Sequence, residues 1–282
     1  MTRLERVLQR STKGDGRVNE DRAGGSGDVL WVLDGATGLG PSRIPVTTDA
    51  AWFVEAIDAA LSEETHDKAS LADMLAGAVA VVAKRWDFEA GPATDEWHPP
   101  SAAVAMIGVQ PGEVDMLALG DCRIVYRRNG AIHAFGADDI APLETRGHAA
   151  LAALFDADPA LSLADARREV DPILRENRIK MNSLDGYWVL GLDPRSIARA
   201  LTAAIPLAAG DTMPFMIASD GYLRLAEVYG AATLEDLLDD IAAVDERLEQ
   251  LRAIEAEDEG CRRYLRFKCR DDATVLHGVA HG

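Results

Sequence analysis

Four aspartates stand at the borders of apolar runs. They are Asp34 after "VLWVL", Asp121 after "MLALG", Asp220 after "FMIAS" and Asp271 just before "ATVLHGV". An acidic pair, Glu20-Asp21 in "RVNEDR", precedes the first strong run. Strand ends are rigid, and carboxylates held together there repel one another and gain proton affinity unless a cation sits among them. Hard divalent ions such as magnesium and manganese take oxygen ligands from carboxylates, carbonyls and water. Gly35, directly after Asp34, lets the backbone turn and present a carbonyl at close range. A single Asp-Gly after a strand is most often only a turn; the set and its order carry the reading.

The elements that must position these acids are legible in outline. Val29 to Leu33 is a strand. A helix is expected from Thr47 to about Glu64 and a second from about Ser70 to Trp86, so apolar through "AGAVAVVA" that it must lie against a sheet. The segment "GPATDEWHPP" is a loop. Short runs follow ("SAAVAMIGV", "EVDMLALG", "RIVYRR", "AIHAF"), and Asn129-Gly130 signals a hairpin between the last two. They are expected to form an antiparallel meander, which counts against a doubly wound parallel sheet. From about 138 to 183 the texture is helical and polar, an insertion between strands. Strands return with "GYWVL", "ARALTAAIPL" and "MPFMIAS", "AAGD" making a hairpin turn before the last. One long amphipathic helix from about Thr233 to Glu257 precedes a final strand, with Leu234, Leu237, Leu238, Ile241, Val244, Leu248, Leu251 and Ile254 on one face. The order predicts an α+β fold, two antiparallel sheets stacked with helices outside.

The chain has 282 residues and a formal net charge of -18. That excess of acid argues against nucleic acid and anionic membranes, which require Lys and Arg. Three cysteines (Cys122, Cys261, Cys269) without CxxC spacing indicate neither a disulfide framework nor a zinc knuckle. They suit a reducing cytoplasm. The N-terminal stretch is too polar for a signal peptide, and no apolar run nears the ~20 residues of a spanning helix, so a cytoplasmic location is expected.

Six segments occur in a familiar order: "NED" (19–21), "VLDGATG" (32–38), "PPSAAVAMI" (99–107), "LGDCRIVYRRNG" (119–130), "IASDGYLRL" (217–225) and "CRDDATVL" (269–276). Together they resemble the successive motifs of the type 2C protein phosphatases, the metal-dependent serine/threonine phosphatases of the PPM class. The resemblance spans Arg17 to Val279, within a single domain over 1–282. It implies a four-layer αββα sandwich of two antiparallel sheets flanked by helices. It implies two Mn2+ or Mg2+ ions: Asp34 bridging both, the Gly35 carbonyl on one, Asp220 and Asp271 completing the other. Glu20 and Asp21 would act mainly through metal-bound water, and Asp121 would support a third, weaker ion or order the backbone beside it. Asp34, Asp220 and Asp271 would then be the catalytic acids. The chemistry implied is direct hydrolysis of a phosphomonoester, on a phosphorylated protein or a smaller molecule, by metal-activated water. No phosphoenzyme is needed, so Cys122 and Ser219 are read as packing or turn residues. The 138–183 insertion falls where the family carries a flap beside the active site that helps choose substrates.

The sequence departs from the family pattern at several points. Ala36 stands where many members place a histidine that protonates the leaving group; His98 is a remote candidate. Arg17, one residue closer to the acidic pair than expected, is the candidate phosphate ligand, with Lys13 the other choice; Arg is favoured because its fork is bidentate. Asp272 stands where Asn is common, and its extra charge is expected to tighten cation binding slightly or do nothing visible. "GATGLG" is not a dinucleotide fingerprint, no GxxxxGK[ST] occurs, and Ala36 denies "VLDG" the second Asp of a haloacid-dehalogenase-type site. The rival reading is a catalytically weak or inactive binding or regulatory module on the same fold. Retention of Asp34, Asp220 and Asp271 favours catalysis.

Overall fold

The computed structural model describes residues 2–36, 38–63, 70–93, 98–137 and 139–282. Glu64 and Asp138, outer bounds expected for the first helix and the insertion, lie outside these, as do 94–97 of the Pro/Gly-rich loop. Among the described residues the strands form two antiparallel sheets. One has the order β1-β11-β10-β6-β7, from Arg3–Thr12 (β1), Arg123–Arg128 (β6), Ala131–Phe135 (β7), Thr212–Ala218 (β10) and Ala273–His281 (β11). The other has the order β2-β3-β4-β5-β9, from Asp21–Ser26 (β2), Val29–Gly35 (β3), Ser101–Gln110 (β4), Glu113–Leu119 (β5) and Leu201–Pro206 (β9); the short β8 (Leu190–Gly191) pairs with the start of β4.

The sheets stack face to face. Leu30, Val32, Ala105, Ile107 and Met116 of one meet Ile124, Phe215, Ile217 and Leu276 of the other. The opposite face of β3 turns Trp31 and Leu33 toward helices α1 (Asp49–Glu63) and α2 (Leu71–Glu89). Because β3 is buried on both faces, it reads as an unbroken apolar run rather than an alternating one. On the outer face of the other sheet, Val125, Met216 and Val275 carry α5 (Asp220–Glu227), α6 (Leu234–Asp239) and α7 (Val244–Glu257). The layers are α, β, β, α, as expected. The insertion is a pair of helices, α3 (Ala141–Ala157) and α4 (Leu163–Ile179), closed on each other by Leu151, Phe155, Ala166 and Val170 and seated on Leu265 and Phe267.

Three local expectations are corrected, and the N-terminus adds a strand. The polar N-terminus is strand β1, paired with β11 from Arg3↔His281 to Thr12↔Ala273; as an edge strand it keeps mostly exposed side chains. "AAGD" does not close a hairpin: it carries the chain from β9 in one sheet to β10 in the other. The meander is likewise split, since β4-β5 and β6-β7 are hairpins in different sheets. Asn129 and Gly130 do form the β6-β7 turn, both at positive φ (51° and 76°), the pair a type I′ turn requires. The long helix expected from Thr233 breaks at Asp240, whose φ/ψ of -93°/63° leaves the helical region. The break lets Leu237 and Leu238 of α6 and Val244 and Leu251 of α7 all reach the same sheet.

Candidate active site

Strand pairing brings the acids to one end of the sandwich. Ala218 at the end of β10 lies between Arg123, which begins β6, and Val275 of β11. Asp121, two residues before Arg123, Asp220, two residues after Ala218, and Asp271, just before β11, therefore share that end. The other sheet supplies Asp21 and Asp34, directly opposite each other in the β2-β3 register, with Asp34 also opposite Ala103. Asp34 follows Leu30 and Val32 at the two-residue period, so its side chain sits on the face between the sheets.

The crossing from β5 to β6 holds Asp121 in place. Gly120 adopts φ +84° there, and a Cβ on it would lie 2.7 Å from Ala103. Gly35 is equally constrained: its N–H donates to the Glu20 carbonyl at 3.0 Å, and a Cβ would stand 2.6 Å from that oxygen. Asp220 is the first residue of α5, not the end of a strand; Ser219 is the cap. The Ser219 hydroxyl donates to Asp21 Oδ2 at 2.8 Å and accepts from the Thr274 N–H at 2.9 Å. Ser219 is thus more than the turn residue expected, because it ties the two sheets together at the acid cluster.

The electrostatics divide the cluster. Asp34 is pushed well above the ordinary carboxylate value, first by desolvation, then by the charges of Asp21, Asp220, Asp121 and Asp271. Asp21 is raised to about 7, again mainly by burial, against the lowering effect of the neighbouring Thr274 and Ser219 side chains. Asp271 goes the other way: burial opposes its ionisation, but the Arg224 and Lys268 charges overcome it and hold it below the usual range. Arg224 Nη2 donates to Asp271 Oδ2 at 2.5 Å and to Asp220 Oδ2 at 3.3 Å. Lys268 Nζ pairs with Asp271 Oδ1, which also accepts the Asp272 N–H at 3.0 Å. The sequence reading missed both cations. Arg224 sits one helical turn after Asp220 in "DGYLR", which is the visible signal.

Beyond its charge, Asp272 clamps a loop. Its two oxygens accept the N–H groups of Gly14 at 2.7 Å and Glu20 at 2.6 Å. The clamped loop carries Arg17 and Lys13, both exposed; Lys13 Nζ donates to the Gly16 carbonyl at 2.8 Å. Glu20 itself is buried. A cleft beside the cluster is lined by Ala36, Asp49, His98, Pro100 and Arg178. Arg178, near the end of α4, donates to Ser101 Oγ at 2.9 Å, and the Ser101 carbonyl accepts the Ala36 N–H at 2.9 Å. His98 falls below its ordinary value through burial and the Arg178 and Arg175 charges. Cys122 is fully buried, and burial with the nearby acids pushes its thiol up, so it is no nucleophile.

Among the described residues no three Asp, Glu, His or Cys side chains already form a cage for an ion. The donors fit a hard divalent cation unevenly. Asp21 Oδ1 is buried without a hydrogen-bond partner, and neither Asp21 nor Asp34 forms an ion pair with a described residue, so that side is suited to a cation. On the other side Arg224 holds one oxygen of Asp220 and one of Asp271, and Lys268 holds the second oxygen of Asp271. Among the described residues no helix is long and apolar enough to cross a membrane.

The profile of the family described as Protein phosphatase 2C matches residues 8–253. No protein of curated function matches the chain. Among solved structures, the serine/threonine phosphatase PstP/Ppp of Mycobacterium tuberculosis superposes with a TM-score of 0.57 at 17% identity, covering 99% of each chain. The catalytic domain of PstP in complex with two manganese ions gives 0.55 at 17% identity over 100% of each chain. PppA of Pseudomonas aeruginosa, a regulatory component of its T6SS, gives 0.57 at 16% identity, covering 100% of this chain and 99% of that one.

Proposed function

Because the chain belongs to the protein phosphatase 2C family, we propose that it hydrolyses phosphoserine and phosphothreonine esters of proteins at the mouth between its two sheets, with a manganese or magnesium ion bound there. The convergence of Asp21, Asp34, Asp121, Asp220 and Asp271, read in the way the other four charges raise Asp34, carries this assignment. Asp34 and the Gly35 carbonyl would hold the ion, with Asp21 and Glu20 reaching it through water. A divalent cation supplies an acidified water and neutralises phosphoryl charge. The chain's own part is positioning. Ser219 fixes the Asp21 carboxylate, and the Gly35–Glu20 hydrogen bond fixes the backbone turn under Asp34. Asp272 anchors the loop from which Arg17 offers its planar fork to the phosphate.

No imidazole follows Asp34-Gly35, and burial with the Arg178 and Arg175 charges disfavours a protonated His98, so the leaving oxygen is not protonated by a histidine. The helical pair α3–α4, tethered to the cleft by Arg178, would act as the flap that sets which phosphopeptides enter. We assign the site to a cytoplasmic phosphatase working as one domain. The test is phosphate release from phosphoserine and phosphothreonine peptides and from p-nitrophenyl phosphate, with manganese and with chelator. Turnover that manganese supports and chelator abolishes is expected. Turnover indifferent to chelator would overturn the metal mechanism, and inactivity with every divalent ion would leave a binding module.

A further inference from the structure

We propose that Arg224, with Lys268 at the rim, stands where the second divalent ion of a binuclear centre would sit, so that this chain holds one divalent ion, on the Asp34 side. The inference rests on the metal-dependent reading above and deepens it. An ion completed by Asp220 and Asp271 needs free oxygens on both. Both Asp271 oxygens are already engaged: Oδ2 accepts from Arg224, and Oδ1 pairs with Lys268 and accepts the Asp272 N–H. Asp220 shares Oδ2 with the same guanidinium.

These cations are built in. The Arg224 side chain is only 14% exposed. It projects from α5, whose Tyr222, Leu223 and Leu225 are packed into the core below, so the i, i+4 pair with Asp220 has a fixed origin. Lys268 is more exposed, at 45% of its side chain, but its loop is braced. Arg266 is 4% exposed and donates to the carbonyls of Cys269 and Tyr264 and to Asp258 at 2.8–2.9 Å. Phe267 on the same loop stacks on His148 of α3, with ring centroids 4.5 Å apart.

The chemistry of the pair favours retention. A guanidinium is always charged and offers a rigid set of donors to carboxylates. Displacing it with an ion would leave a largely buried charge without partners, which is strongly unfavourable. Two single positive charges supply the neutralisation that one divalent ion would give. The other half of the cluster has no such occupant: Asp21 and Asp34 meet no basic side chain among the described residues, and Asp21 Oδ1 is unpartnered.

The experiment counts manganese. Isothermal titration, with metal analysis after equilibrium dialysis, is run on the unaltered chain and on Arg224→Gln, Lys268→Gln and the double variant, each checked for folding by circular dichroism. The unaltered chain is expected to bind one equivalent tightly. Removing Arg224 should bring in a second equivalent at least about tenfold tighter than any second binding in the parent, with a smaller gain for Lys268→Gln. Two equivalents of similar affinity in the unaltered chain would overturn the inference while leaving metal dependence standing, and need no variant to fold. One equivalent in every variant would also overturn it. No manganese bound by any form would refute the metal-dependent reading, and this inference with it.

Discussion

Asp34 and Asp271 lie in the same mouth, yet their surroundings push them in opposite directions. Asp34 faces other acids and is raised far above the ordinary carboxylate range. Asp271 faces Arg224 and Lys268 and is lowered. Residue type alone therefore does not define a metal ligand; the charge already present around it decides whether an added ion relieves repulsion or must evict a cation. The Asp34 half gathers acids without a cation among them, and the Asp271 half already has its charge paired.

That contrast is broken most severely at Asp34. Asp34→Asn removes the charge on which the ion depends and should lower kcat by about 10^3-fold or more, on the order of 4 kcal/mol of transition-state stabilisation. The fold should survive, because the change relieves repulsion with Asp21 and Asp121 rather than breaking an ion pair. Single-turnover rates with manganese, alongside thermal unfolding, check both halves of the statement. A variant that turns over at near-normal rate would remove Asp34 from the centre of the site.

The pH dependence of stability separates the halves next. Asp21 binds its proton up to about 7 in the fold but only to about 3.9 when unfolded. Between those values the unfolded chain has released a proton that the fold retains, so the metal-free protein should lose stability as pH rises from about 4 to about 7. Asp34 contributes with the same sign. The lowered Asp271 contributes oppositely: its stabilisation is present above the usual carboxylate value and is lost as pH falls through its folded value. The expected net loss toward neutrality is a few kcal/mol, and manganese should remove it by favouring the ionised acids. Urea unfolding at pH 5 and pH 7.5, with and without the ion, gives the answer; chelated protein that gains stability at pH 7.5 would contradict it.

The same division explains which parts of the molecule could be read from sequence. Asp34, Asp121, Asp220 and Asp271 were visible because each interrupts or borders an apolar run, and such borders fall within two residues of a strand terminus. The layers were visible because β3 and α2 must bury what they carry. Strand β1 was hidden by the polarity of an edge. The crossings at 120–122 and 207–211 were hidden because turn residues say that the chain reverses, not which sheet it enters next. Arg224 was hidden for a sharper reason. An Asp–Arg pair one helical turn apart is usually a solvated surface contact, and only the docking of α5 shows this one enclosed and aimed also at Asp271. The clamp formed by Asp272 was hidden because its sequence neighbour is a site acid, whereas its partners are 252 and 258 residues away.

Asp272 sharpens the comparison with the smallest effect, since it adjoins Asp271 but serves the loop. Asp272→Asn keeps one acceptor oxygen and puts an N–H2 donor where the other oxygen was. One of the Gly14 and Glu20 amides then faces a donor, at a cost of about 1–3 kcal/mol for an unsatisfied group. The Glu20 amide is buried, and the Glu20 carbonyl holds the Gly35 N–H, so the disturbance is best absorbed at the less buried Gly14 end of the loop. That end leads into Arg17. Substrate capture should therefore weaken by several-fold in KM on a phosphopeptide, while kcat and manganese affinity change little, the signature of lost ground-state positioning. If instead kcat and manganese affinity fell together at constant KM, Asp272 would belong with the acids of the cluster rather than with the loop it ties down.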